Sequence, residues 1–154
     1  MFRNLNYKIM DILILITTAV LGIFLGAQIA EALLIVPYWK SLTAEQFYAF
    51  YKRYGDGLHR FFAPLTIAAT ILPILLLVVG ILTADKRLAL LIALICCVVI
   101  FFSTFFVFFK KANERFKTEN IEPSQLPKAL EIWGRWHWLR VCFECLAFLV
   151  LLIL

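Results

Sequence analysis

The sequence predicts an all-α integral membrane protein. Its expected form is a four-helix up-down-up-down bundle, one domain over residues 1–154, with a short interfacial amphipathic helix in the first long loop. Three observations carry that prediction. Hydrophobic residues make up 64 % of the 154, with mean hydropathy +0.93, and a soluble domain of this size has too little interior to hide so much apolar surface. The apolar residues gather into four stretches, at about 12–35, 61–83, 88–109 and 136–154, each near the roughly 20 residues that cross a hydrocarbon core of about 30 Å. The link 84–87 is so short that the two spans it joins are antiparallel neighbours.

Span one stops before Pro37, and its later half is rich in small residues. Gly22 and Gly26 form a Gly-x-x-x-Gly pair that lets another helix approach closely, which makes a homo-oligomer through this face a candidate assembly. Its apolar stretch is too long for the core of a signal peptide and lacks a small-residue cleavage site, so no cleavable leader is expected. In the loop that follows, Thr43 opens a capping box with Gln46. Ala44, Phe47, Tyr51 and Tyr54 then recur at helical spacing while Glu45, Lys52 and Arg53 point elsewhere, the pattern of a helix lying in the membrane interface. Gly55-Asp56-Gly57 ends it and turns the chain into the bilayer.

Span two carries no charge; Pro64 marks its start and Pro73 a kink in its middle. Span three leads through the phenylalanine-rich stretch 101–109, read as packing and lipid contact or as an access route for an aromatic ligand, into a basic loop broken by Pro123 and Pro127. Span four is the most informative element. Val141 to Leu154 is only 14 residues, about 21 Å of helix, so crossing the bilayer draws Arg140 and Glu144 to membrane depth. Intramembrane charge is costly, by about 2.5–3.5 kcal/mol even on the mildest scale, and marks a functional site by default.

Charge and cysteine usage exclude other classes. The four basic residues Arg3, Lys8, Lys86 and Arg87 lie at one end, leaving 11 of the 15 Lys and Arg at the long-loop end. The net charge of +5 therefore reads as membrane topology and not as a nucleic-acid surface. The positive-inside rule puts the long loops in the cytoplasm and both termini outside, for a multi-pass protein of a bacterial cytoplasmic membrane. All four tryptophans, Trp39, Trp133, Trp136 and Trp138, fall at the long-loop end as a one-sided aromatic belt. Cys96, Cys97, Cys142 and Cys145 lie in apolar segments and define no disulfide framework.

Topology gathers the polar residues of the spans at that same end: Gln28 and Glu31 on span one, His59 on span two, Asn113 after span three, and Trp136, His137, Arg140 and Glu144 on span four. The expectation is a polar pocket between the helices, capped by the loops. Arg140 and Glu144, four apart, can neutralise each other, and Arg140 can bridge Glu31 as well. His137 shares a face with both and is a candidate general base or ligand. Two histidines and two carboxylates are also raw material for a metal ion, yet the Glu-x-x-His spacing of bundle di-iron sites is missing, so no cofactor is predicted.

These residues resemble the anthrone-oxygenase-like integral membrane family, much of it described only as a domain of unknown function. The resemblance covers nearly the whole chain. The family's proline after span one looks like Pro37. Its Trp-x-x-x-Asn/His-x-x-Arg motif opening span four looks like Trp133, His137 and Arg140. Its Asn-x-Pro-x-Asn motif appears as Phe109-Lys-Lys-Ala-Asn113, without the first asparagine and the proline. Some fungal members take part in oxidising anthrones to anthraquinones, and the resemblance implies a reaction with no organic cofactor. The resemblance thus implies His137 as a base, Arg140 stabilising a substrate anion, Trp133 and Trp136 stacking on its rings, and Glu144 as a structural counter-ion.

Two functions follow as expectations. One is an oxidoreductase, an oxygenase acting on a lipophilic or aromatic molecule that enters from the lipid bilayer. The other is a non-catalytic subunit, lipid-binding or assembly protein. A transporter is disfavoured, because the two halves hold no matching pair of broken helices.

Overall fold

The computed structural model describes residues 2–154, with side chains from Lys8 onward; the side chain of Arg3, counted above at the short-loop end, lies outside the described residues. The elements in order are α1 (Phe2–Ala30), a π-helical turn (Glu31–Ile35), α2 (Val36–Ser41), α3 (Ala44–Leu82) and α4 (Leu88–Thr104). A second π turn (Phe105–Phe109), α5 (Lys110–Lys117), a 3-10 turn (Pro123–Gln125) and α6 (Leu126–Ile153) complete the chain. Four helical segments are long and apolar enough to cross a membrane: Lys8–Ser41, Ala44–Leu82, Leu88–Lys117 and Pro123–Ile153. In the bundle α1 packs on α3, α3 on α4, α4 on α6, and α6 back on α1. Leu15, Ile23, Leu34, Ile67, Leu82 and Ile153 are among the many large apolar side chains left facing outward. Such a surface belongs in lipid, and the chain is a multi-pass integral membrane four-helix bundle.

Every span runs past its expected bounds, span three to Lys117 instead of 109 and span four from Leu126 instead of 136, for one shared reason: helix continues wherever tertiary packing supports it. Span one does not stop before Pro37 but runs on to Ser41. A π turn precedes the proline, with the Val36 N–H bonded to the Glu31 carbonyl, and the widened turn absorbs the donor that Pro37 lacks. The capping box at Thr43 forms, Gln46 N–H donating to Thr43 Oγ1 and Thr43 N–H to Gln46 Oε1 at 3.0 Å. The helix it opens is no separate interfacial piece, however. It passes through Gly55-Asp56-Gly57 and Pro64 without a break and becomes span two. Its 39 residues measure about 58 Å, nearly twice a hydrocarbon core.

The excess length builds a head beyond the spans. Phe47, near the start of α3, is fully buried against Trp39, Tyr51 and Phe116. With Val36, Phe109, Ile121, Leu126, Leu130 and Trp133 these rings form one core. A second core fills the spans, around Phe24, Leu76, Leu91, Leu94, Phe101 and Leu151. Between spans one and four, Gly22 lies against the Phe148 ring, whereas Gly26 has open space beside it. The close approach that Gly22 permits is therefore to α6 of its own chain.

At the other end, α3 stops in a Schellman motif: Asp85 N–H bonds the Gly80 carbonyl at 2.9 Å and Ala84 N–H the Ile81 carbonyl at 3.2 Å, with Ala84 at φ 49°. Arg87 follows it and binds three elements at once. Its Nε and Nη2 grip both carboxylate oxygens of Asp85 at 3.0 Å, while Nη1 reaches Asp11 of α1 and the Leu154 carbonyl at 3.1 Å. The hydrogen bonds from Arg87 hold the Asp85 carboxyl below the usual carboxylate range.

Candidate functional site

Where the two cores meet, the bundle holds a buried polar seam. Trp133, His137, Arg140 and Glu144 follow one another along α6 at spacings of four, three and four, the repeat that keeps side chains on one inward face over about 16 Å. Trp133, His137 and Glu144 are buried and Arg140 is half-buried. Gln28 of α1 and Glu31 of the π turn that follows it enter the same region and are also buried.

His137 is completely enclosed. Its Nε2 lies 2.9 Å from the backbone carbonyl of Gln28. A carbonyl oxygen can only accept, so Nε2 carries a proton, and in the neutral ring the lone pair then lies on Nδ1. That Nδ1 has no hydrogen-bond partner among the described residues. A Glu31 carboxylate oxygen stands 3.8 Å from Nε2, near enough to act on its charge but too far for a hydrogen bond. The indole of Trp133 stacks on the imidazole with centroids 5.1 Å apart and planes 16° apart, and its own Nε1 donates to Asn113 Oδ1 at 2.9 Å. Asn113 thus fixes the ring that fixes His137.

Arg140 departs from expectation. It forms no ion pair with Glu31 or Glu144, and among the described residues no hydrogen bond. Its guanidinium instead sits over the rings of Phe101 and Phe109, at 4.4 and 4.7 Å from their centroids. Desolvated cation–π contacts of this kind are worth up to about 2 kcal/mol each, but they leave the five N–H donors in the guanidinium plane uncommitted. Glu144, read from the sequence as a counter-ion, is buried with Oε1 unpartnered. Gln28 Oε1 and Trp39 Nε1 are buried and unpartnered too. Native interiors leave few polar atoms in this condition, at about 1–3 kcal/mol each, and their gathering here makes the seam the candidate site.

Two predicted residues lie elsewhere. His59 is exposed on α3 and makes no hydrogen bond or ion pair among the described residues, because α3 continues as one helix and turns that face outward. Trp136 stacks on Phe108, with centroids 5.0 Å and planes 4° apart, beside the seam and not within it. The sequence reading missed Trp39, Phe101 and Phe109. Phe109 and Trp39 each pack edge-on against Trp133, with centroids 5.2 Å apart. The signal for the phenylalanines was their eight-residue separation within 101–109, which keeps both on one helical face while Phe102, Phe105 and Phe106 turn outward. The π turns add a further mark, since such turns collect at functional sites: one begins at Glu31 and the other ends at Phe109.

Comparison with curated proteins and with solved structures gives no match. A sequence model described as Anthrone oxygenase matches residues 50–150, which takes in Phe101, Phe109, Asn113, Trp133, His137, Arg140 and Glu144 but not Gln28 or Glu31. Covering well over half of the chain, that match establishes that it belongs to the anthrone oxygenase family.

Proposed function

We propose that this protein is a membrane oxidoreductase of the oxygenase type, acting on a phenolic aromatic compound that partitions into the bilayer. The observation that carries the reading is His137, a buried imidazole whose Nε2 is held by a backbone carbonyl and whose Nδ1 lone pair is unused. Such a nitrogen is placed to take a proton from a phenol or from the acidic methylene of an anthrone. Arg140, with its N–H groups uncommitted, stabilises the resulting oxyanion in a low-dielectric setting. The electron-rich anion reacts with O2: the methylene loses two hydrogens and gains one oxygen atom as a ketone, and the second oxygen atom leaves as water. The substrate supplies all the electrons, so no organic cofactor enters the scheme. By the positive-inside rule we place the head formed by α2, α5 and the first turns of α3 and α6 in the cytoplasm.

The test uses the purified protein in lipid nanodiscs with 1,8-dihydroxyanthrone, following oxygen uptake above the uncatalysed background. The wild type accelerates uptake, and His137→Ala lowers the rate by about 10²–10⁴-fold with an unchanged thermal transition. A wild type no faster than empty nanodiscs, or an alanine variant as fast as wild type, overturns the proposal. The dense ring packing of Trp39, Phe47, Phe109 and Trp133 favours a second reading, a non-catalytic assembly or lipid-binding subunit. In that case His137→Ala moves only stability.

A further inference from the structure

A second site lies outside the seam, on the outer surface where span three becomes α5. An open cleft of about 400 Å³ is formed there between Phe106, the α5 residues Lys110, Lys111, Glu114 and Arg115, and the turn that follows. The π turn Phe105–Phe109 separates its two sides: Phe109 points inward and is fully buried under Arg140, while Phe106 points outward at 60 % exposure. Of the four basic residues of α5, Lys117 pairs with Asp56 at 3.5 Å. The other three, all lining the cleft, have no carboxylate partner among the described residues.

The turn is rigidly built. α5 ends in a Schellman motif, with Asn120 N–H on the Arg115 carbonyl at 2.9 Å, Glu119 N–H on the Phe116 carbonyl at 3.4 Å, and Glu119 at φ 54°. Within it, Arg115 donates Nε to the Asn120 carbonyl at 3.3 Å. This holds the guanidinium in place and leaves its terminal nitrogens free. The Thr118 hydroxyl is spent on the Glu114 carbonyl at 2.8 Å. Three cations against the single carboxylate of Glu114 give the cleft a net positive charge.

Depth identifies what it meets. From Leu88 to Phe109 the helix rises about 33 Å, one hydrocarbon thickness, so Lys110 stands at the level of the headgroup phosphates. Directly membrane-ward lie the exposed Phe102, Phe105, Phe106 and Val107, with Phe102 and Phe106 edge to face at 5.3 Å. We infer that this cleft binds the headgroup of an acidic phospholipid, Lys110, Lys111 and Arg115 taking the phosphate and the Phe102–Phe106 strip taking an acyl chain. A soluble phosphate would satisfy the cations but has no use for the aromatic strip, and that continuity selects the lipid.

The experiment is native mass spectrometry of the full chain released from bilayers of phosphatidylcholine with a minority of phosphatidylglycerol. The wild type should retain phosphatidylglycerol enriched about thirtyfold over its bulk share, as expected for two net basic contacts near an acidic surface. Millimolar inorganic phosphate should not displace it, and Lys110→Gln/Lys111→Gln/Arg115→Gln should return retention to the bulk ratio with an unchanged thermal transition. Retention at the bulk ratio in the wild type, equal enrichment in the triple variant, or displacement by phosphate each overturns the inference. Should the triple variant not fold, the wild-type lipid comparison and single Lys111→Gln decide it. None of these readouts depends on oxygen uptake.

Discussion

The two ends of the bundle each hold an arginine, and the two are used in opposite ways. Arg87 closes the short-loop end: bidentate on Asp85, with further bonds to Asp11 and the Leu154 carbonyl, it ties α1, the α3–α4 turn and the end of α6 together. Arg140 lies deeper, has aromatic faces for neighbours, and forms no hydrogen bond or ion pair among the described residues. Glu31 and Glu144 lie within Coulombic reach of Arg140 but neither is in direct ion-pair contact with it, and that lack of contact is what separates it from the bidentate pair at Arg87. An arginine whose donors are all in use stabilises a fold; one whose donors are unused fits the anion-stabilising role proposed above for Arg140.

The sharpest way to break this contrast is kinetic. His137→Ala, and to a lesser degree Arg140→Leu at about 10²–10³-fold, should abolish accelerated oxygen uptake, whereas Arg87→Leu should leave the rate of whatever protein remains folded near wild type. The paired stability measurement comes next. Arg87→Leu strands the Asp85 carboxylate, whose side chain is 2 % exposed, and should cost on the order of 3 kcal/mol in thermal or denaturant unfolding. Arg140→Leu gives up two cation–π contacts but also removes a costly intramembrane charge that makes no direct ion pair, and should cost less than Arg87→Leu, within about 2 kcal/mol. Equal losses at both sites would erase the distinction.

The closed end should also be acid-sensitive. The carboxyl of Asp85 is held below its ordinary value when folded, so the unfolded chain takes up its proton first as pH falls. The stabilisation is present above about pH 4, near the unfolded aspartate value, and is lost as pH drops through the folded one. Thermal scans should show this loss, and Asp85→Asn should flatten the acid limb while lowering stability at neutral pH; an unchanged acid limb would refute the linkage. The smallest effect is expected at Ala84, a residue with a Cβ held at φ 49° where helix ends favour glycine. Ala84→Gly should raise stability by about 1 kcal/mol without altering oxygen uptake, the mark of an end that serves structure alone.

The seam was partly legible. The four-three-four spacing of Trp133, His137, Arg140 and Glu144 is a property of helix geometry and is readable from the letters, as is the local exchange of hydrogen bonds at Thr43 and Gln46. His59 was misplaced because Gly55-Asp56-Gly57 reads as a break, about 1 kcal/mol of helix propensity lost per glycine. Burial of Phe47 and Tyr51 against Phe116 and Trp39 anchors the helix on one side of those glycines, and span two continues it on the other. Pro37 misled for a similar reason, its missing donor absorbed by a π turn that no local rule places.

By itself, then, the sequence determined membrane insertion, the four spans, their antiparallel order and the inward face of span four. These depend on hydrophobicity, length and the helical repeat, which are local quantities. Only the tertiary structure decided that Arg140 lies between Phe101 and Phe109 and apart from its carboxylates, that His137 is bonded by Gln28 and stacked on Trp133, and that Arg87 gathers Asp11, Asp85 and Leu154. Each of those depends on which distant side chains meet, and whether a buried charge is paired or left free is set by that meeting and by nothing in its own neighbourhood of the chain.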